Sequence, residues 1–338
     1  MSIELCTYFD RNYLLQGLSL YRSLEMQRAS FRMWILCLDD DTRDILGNLN
    51  LRHAELLTVD ELIDATPTLH HARLDRSPVE FYYACTPALT AHVMERTHRT
   101  VGVSYIDADM YFFGSPAPIF EGLADANVLL VEHRLPNAEQ EQLHGRYNVS
   151  LVHFAPTDEA RRCLVWWQEQ TLASTAMNNL TWGDQKYLDS FPERFEGVRT
   201  VNSRISGLAP WNIVNHSISK QDGQILVDGE TLSVFHFAKY IFLSSRLFIP
   251  ARREWIPRPI LEALYASYHR ALATAYREVR RVSPQYRVGY TRRNLRAALL
   301  STAAGRTFLH GRHSPHRLGV YIPTNLTELQ AWRKDRSV

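Results

Sequence analysis

Two carboxylates, Asp107 and Asp109, stand one residue apart in SYIDADMYFFGSP, residues 104–116. An apolar run leads into them and an aromatic run follows. Acidic side chains at the end of a buried strand are costly unless something compensates them. In an extended segment residues i and i+2 project to the same side. Both carboxylates can then aim at one point beyond the strand end. Held that close, they repel unless a cation joins them or one takes a proton. Carboxylate oxygens suit hard ions such as Mg2+ and Mn2+, and such ions are commonly held by one or two carboxylates together with substrate phosphates. The pair reads as half of a metal site that a diphosphate completes. A pair of solvated loop carboxylates is the plain alternative, which the flanking apolar strand and aromatic run weaken.

The elements that must carry this pair alternate along the first 135 residues. IELCTYF (3–9), FRMWILCL (31–38), AELLTV (54–59), TVGVSYI (100–106) and ANVLLVEH (126–133) read as strands. Between them, residues 13–27 and 78–96 space apolar side chains as helices do, with Pro87 as a kink or restart. DDDTRDIL carries Asp and Thr at a helix start. Such alternation predicts an α/β fold with a mainly parallel sheet and helices on both faces. Ligands in these sheets collect beyond the carboxyl ends of the strands, and Asp107 and Asp109 sit at one. Downstream, YNVSLVHF (147–154) alternates as a strand and DEARRCLVWWQEQTL (158–172) as an amphipathic helix. VDGETLSVFHF (227–237) has an Asp-Gly turn before a strand. After Pro250 the texture becomes that of basic helices, at 257–281 and 292–303. The expected organisation is a catalytic domain over 1–250 and an appended helical segment over 251–338.

The chain has 338 residues, 45% apolar and 22% charged, ordinary for a soluble globular protein. Cys6, Cys37, Cys85 and Cys163 lack CxxC spacing and read as reduced core thiols, not a zinc site or disulfide framework. No secretory signal and no run of about 18 apolar residues is visible, so a cytoplasmic location is expected. The net charge of +2 hides an asymmetry: residues 251–338 carry 17 Lys+Arg against 5 Asp+Glu, and residues 1–250 carry 21 against 31. A basic tail on an acidic body points to an anionic surface as partner. Membrane headgroups at the inner face fit its arginines interleaved with Leu, Tyr and Phe. No nucleic-acid module is recognisable.

YIDADMYFF resembles the D-x-D segment of GT-A fold nucleotide-diphosphosugar glycosyltransferases, and further pieces occur in the order found in glycosyltransferase family 8, the galactosyl- and glycogenin-type retaining enzymes. CTYFDRNYLLQGLSLYRSL (6–24) resembles their first strand and helix; the resemblance assigns the nucleobase to Asp10 and Tyr13, with Tyr8 nearby. RYNVSLVHF (146–154) resembles the segment whose Asn lies near the donor sugar, here Asn148, although Ser150 stands where the family usually has Gly. WGDQKYLDSFPERF (182–195) resembles the Gly-Asp-Gln helix start, so Asp184 and Gln185 are expected to reach the sugar. Asp184 also fits a helix N-cap. FHFAK (235–239) resembles the late His that completes the metal site and the Lys on the phosphates, here His236 and Lys239. The family's wider His–Lys spacing and its Pro-Trp are missing. The family's basic residue before the D-x-D strand is replaced by Glu80, Tyr82 and Tyr83. His133, Arg134, Trp211 and Asn212 are further candidates for lining the cleft.

The resemblance spans roughly residues 3–240 and implies a metal-dependent hexosyltransferase. It would use Mn2+ or Mg2+ and a nucleotide-sugar donor, UDP-sugar as the commonest case, and move the sugar with retention to a glycan or lipid-linked saccharide. Two other readings stay open. A DxDx(T/V) phosphohydrolase would place its motif near the chain start and Thr or Val where Tyr111 stands. A non-enzymatic binder would hold nucleic acid through the basic tail.

Overall fold

The computed structural model describes residues 3–287 apart from 99, 121–125, 179–180, 203, 245–246, 252–253 and 255. The basic stretch 292–303 lies outside the described residues. The chain opens β1 (Ile3–Phe9), α1 (Leu14–Met26), β2 (Phe31–Cys37), α2 (Asp40–Leu49), β3 (Ala54–Thr58). It continues through α3 (Val59–Ala65), α4 (Leu69–Asp75), α5 (Pro78–Arg96), β4 (Val103–Ile106), β5 (Met110–Phe112), α6 (Ala117–Phe120) and β6 (Val128–Glu132). Then come α7 (Ala138–His144), β7 (Tyr147–Phe154), α8 (Asp158–Ala173), α9 (Phe191–Arg194) and β8 (Val198–Thr200).

Among the described residues the main sheet has seven strands in the order β3-β2-β1-β4-β7-β6-β8. β3, β2, β1 and β4 run parallel, β6 and β8 pair in parallel, and β7 runs antiparallel between β4 and β6. The reason is visible in β1: Leu5 and Phe9 face one core, shared with α1, while Cys6 faces the other, shared with α5 and α8. A strand apolar on both sides needs cover on both sides. This is the covered α/β sheet that the GT-A resemblance implies. The four cysteines are buried and unpaired.

Two local features differ from expectation. α5 starts on a Ser77–Glu80 capping box with Pro78 in its first turn, and runs on through Pro87 instead of restarting there. The D-x-D residues are not extended: Met110 N–H donates to Asp107 O at 3.1 Å, closing a turn between β4 and β5. A turn is what lets neighbouring carboxylates converge here, in place of strand alternation.

The later elements form smaller sheets. β9 (Ile218–Gln221), β10 (Gln224–Val227) and β11 (Glu230–Thr231) make a meander. Its turns Asp222-Gly223 and Asp228-Gly229 have positive φ at both positions, the geometry tight hairpins require. β12 (Val234–His236) pairs antiparallel with β5, and β13 (Ile241–Ser244) with β14 (Leu247–Ile249). The chain then enters α10 (Arg258–Ile260), a π-helical turn over Leu261–Tyr265, and α11 (Ala266–Val282). The apolar stripe of this helical run, Leu264, Tyr265, Tyr268, Leu272 and Val279, is buried in the same core as β1 and α1. No helix among the described residues is long and apolar enough to cross a membrane.

Candidate functional site

The turn after β4 brings Asp107 and Asp109 to His236. β5 pairs with β12 so that His236 lies opposite Met110, and Phe237 N–H donates to Asp109 O at 3.0 Å. These bonds place His236 Nε2 3.2 Å from Asp109 Oδ1 and 3.8 Å from Asp107 Oδ2. One ligand atom from each of the three residues lies within 4.8 Å of the others. The Asp107 side chain keeps 25% of its surface exposed and Asp109 13%, so the group opens outward. Burial pushes the Asp107 carboxyl up to about 6; His236 and the Tyr105 hydroxyl oppose that, and Asp109 adds to it. Burial works to lower His236, but the two aspartates outweigh it and hold the imidazole above its ordinary value. His236 Nδ1 is buried without a partner. Two carboxylates and an imidazole converging in this way fit a divalent cation by donor chemistry.

Asp184 stands beside this group, 2% exposed. It does not cap a helix; its carboxylate takes a hydrogen bond from Thr86 of α5. Its placement follows from Gly183 at φ +62, where a Cβ would sit 2.9 Å from the Tyr83 ring, and from Trp167 Nε1 donating to Asp184 O at 2.8 Å. Burial pushes the Asp184 carboxyl up to about 7; Thr86 opposes the shift and Asp107 adds to it. Tyr8 reaches this corner as well. Its hydroxyl lies 3.3 Å from Thr86 Oγ1 and its ring packs at 5.7 Å from Tyr105, whose hydroxyl donates to Asp107 Oδ1 at 2.9 Å. Tyr8 therefore sits beside Asp184, while Asp10 and Tyr13 lie in the next turn.

Asn148 and Gln185 are brought together, but face each other. Asn148 Nδ2 donates to Gln185 Oε1 at 3.1 Å and lies 3.2 Å from His133 Nε2; Asn148 Oδ1 accepts from Ser150 N–H at 2.9 Å. Gln185 Nε2 donates to His144 O at 2.7 Å, and Gln185 Oε1 also takes Val149 N–H at 3.4 Å. Both amides are spent within the protein. Ser150 O receives Asp107 N–H at 2.9 Å, so this network also fixes the metal turn. His133 is buried, and burial first, with the nearby His236 charge, pushes its imidazole down to about 3 despite a hydrogen bond with the Gly145 backbone. Trp211 Nε1 donates to His133 O at 2.8 Å, and its ring lies edge-on to both His133 and His236. Asn212 binds His133 O, Gly207 O and Ala209 N–H, which makes it the tie of its own loop. Arg134 turns to Gly207 O and His216.

Past β1, Asp10 Oδ1 accepts Asn12 N–H at 2.9 Å and Tyr13 N–H at 3.2 Å. Tyr13 stands just before α1 and is 46% exposed. Lys239, at φ +61, directs its ammonium to Glu254 at 3.7 Å. Tyr105, Thr86 and the full role of His133 are the residues that sequence reasoning missed. The signal for Tyr105 was its place near the end of β4, two residues before Asp107. Thr86 gave none, and His133 gave only its place after the fifth strand as a cleft candidate, because their partners come from other elements.

No protein-family model matches the chain. Among solved structures, the galactosyltransferase LgtC in complex with donor and acceptor sugar analogues aligns with a TM-score of 0.46 at 16% identity, over 70% of this chain and 87% of that one. Mouse xyloside xylosyltransferase 1 aligns at 0.43 and 12%, over 62% and 87%. In sequence, the uncharacterized protein YfnD of Bacillus subtilis (strain 168) is 27% identical over 250 residues, 72% of this chain and 79% of that protein. The uncharacterized protein YfnF of the same organism is 31% identical over 255 residues, 72% of this chain and 84% of YfnF. With that identity sustained over that length, the chain belongs to the family of YfnF.

Proposed function

We propose that the protein is a metal-dependent glycosyltransferase that moves a hexose from a nucleoside diphosphate sugar, UDP-sugar by preference, to a saccharide acceptor with retention. The observation that carries this reading is the convergence of Asp107, Asp109 and His236 at an outward-opening turn beyond β4. A divalent cation held there, Mn2+ or Mg2+, supplies charge stabilisation to a departing diphosphate. Tyr105 orients Asp107 through its hydroxyl. Asp184 offers a buried carboxylate where positive charge develops at an anomeric carbon. Asn148 and Gln185 act by holding His133 and the metal turn in place, rather than by touching sugar in the described arrangement. Asp10 and Tyr13 form the nucleobase end, with the exposed Tyr13 ring available for stacking. Lys239 reaches phosphate only by leaving Glu254.

A glycan or lipid-linked saccharide is the proposed acceptor, with anionic lipid at the inner membrane face as docking surface. α11 sinks its apolar stripe into the core and leaves Arg270, Arg277 and Arg281 exposed, so such contact rests on charge and not on insertion. The test is incubation with a panel of nucleotide sugars in Mn2+. Release of nucleoside diphosphate that stops with chelator supports the reading. No release from any donor, together with no calorimetric binding of UDP, overturns it.

A further inference from the structure

The two aspartates of the metal group are supported unequally. Asp107 turns Oδ2 toward His236 and accepts the Tyr105 hydroxyl on Oδ1 at 2.9 Å. Asp109 has Oδ1 3.2 Å from His236 Nε2, and among the described residues no hydroxyl or backbone N–H donates to its carboxylate. That single partner is lost when the site is used. An imidazole that ligates a cation through Nε2 offers a lone pair there and no proton. Carboxylates that ligate a metal are themselves held by hydrogen bonds from outside the ligand set. Asp109 therefore lacks a donor at the moment a cation arrives.

Tyr268 carries the complementary deficit. It lies on α11, beyond residues 3–240, and is 0% exposed, yet its hydroxyl has no hydrogen-bond partner. A buried unpaired hydroxyl costs free energy that a phenylalanine would avoid. The Tyr268 ring stacks on Phe237 with centroids 3.8 Å apart and meets Tyr111 edge-on at 5.6 Å. Phe237 follows His236 and donates its N–H to Asp109 O at 3.0 Å, and Tyr111 stands two residues after Asp109. Burial pushes the Tyr268 hydroxyl well above its ordinary value and the Asp109 charge adds to that; the other groups acting on it, Tyr13, Tyr111 and Tyr265, are phenols. Tyr265 supplies the contrast. It is 0% exposed in the same core and its hydroxyl is equally unpaired, but the charge acting on it is that of Glu254.

Resting on the metal-dependent reading above, we infer that Tyr268 is a positioning residue whose hydroxyl donates to Asp109 when a divalent cation takes His236 Nε2, as Tyr105 donates to Asp107. The experiment measures Mn2+ affinity by paramagnetic resonance, and urea unfolding in chelator, on the full chain and on Tyr268→Phe and Tyr265→Phe. Both variants keep the ring. Expected is that Y268F binds Mn2+ about tenfold more weakly. Its unfolding midpoint in chelator is no lower than that of the wild type, because the hydroxyl it loses is unpaired without metal. Y265F binds Mn2+ as the wild type does. Unchanged Mn2+ affinity in Y268F overturns the inference. So does a loss that Y265F shares, or one that comes with a lowered midpoint in chelator, since either marks a general packing effect. All of these outcomes leave Mn2+ binding by the wild-type chain, and the proposed function, intact. Failure of the wild-type chain to bind Mn2+ overturns that function and this inference with it.

Discussion

Asp184 shows how one side chain can work against stability. Its folded carboxyl is held up to about 7, mainly by burial, against an ordinary value of 3.8. The folded state therefore binds this proton more tightly than the unfolded state. Its contribution is most favourable below about pH 4 and declines as pH rises toward about 7. Asp184→Asn should stabilise the protein above pH 7 by up to about 4 kcal/mol and by almost nothing near pH 4. Urea unfolding in chelator at both pH values checks this; an equal gain at both would remove ionisation from the account. The metal group makes a second prediction. His236→Ala should weaken Mn2+ binding at least as much as loss of a supporting contact does, about 10–100-fold, and Tyr105→Phe should fall near the low end of that range. Titration followed by Mn2+ paramagnetic resonance separates the two. At this scale the D-x-D pair was legible because two carboxylates placed at the end of a buried apolar strand are costly without compensation. The engagement of Asn148 and Gln185 was not, since an amide's partners are set by which backbone groups come within 3 or so ångströms.

β5 and β12 are short, yet their pairing fixes where His236 meets Asp109. The turn ahead of α1 is tied in a similar way by distant elements. Arg11 N–H donates to Asp39 Oδ2 at 2.7 Å, and Tyr286, 2% exposed beyond α11, donates its hydroxyl to Arg11 O at 2.9 Å. Removing that hydroxyl by Tyr286→Phe costs a net hydrogen bond of about 1 kcal/mol. If the turn carries the nucleobase, UDP affinity falls by about fivefold, within that energy, while Mn2+ affinity stays unchanged. Calorimetry with each ligand reads both. Most strands and helices were legible from apolar spacing. The continuation of α5 through Pro87 was not, because packing against α8 and the sheet outweighs the local loss of one hydrogen bond.

The C-terminal helical run belongs to the core that supports the metal corner. Tyr268 stacks on Phe237 with centroids 3.8 Å apart, and Phe237 directly follows His236. Tyr268→Ala should cost about 3–5 kcal/mol, as large-to-small changes of buried aromatics do, and should lower Mn2+ affinity as well. Urea unfolding and metal titration on one sample test the coupling; a stable variant with normal metal binding would break it. By itself the sequence determined the α/β class, the covered sheet, the acidic pair and its order relative to the late histidine, because apolar periodicity and the cost of isolated carboxylates act locally. Only the tertiary structure decided that a turn aims the pair, that Gln185 faces Asn148 and that Lys239 faces Glu254. It also decided that the basic helix hides its apolar stripe. Each of these depends on groups far apart in the chain meeting at hydrogen-bonding or packing distance, and no local pattern encodes that meeting.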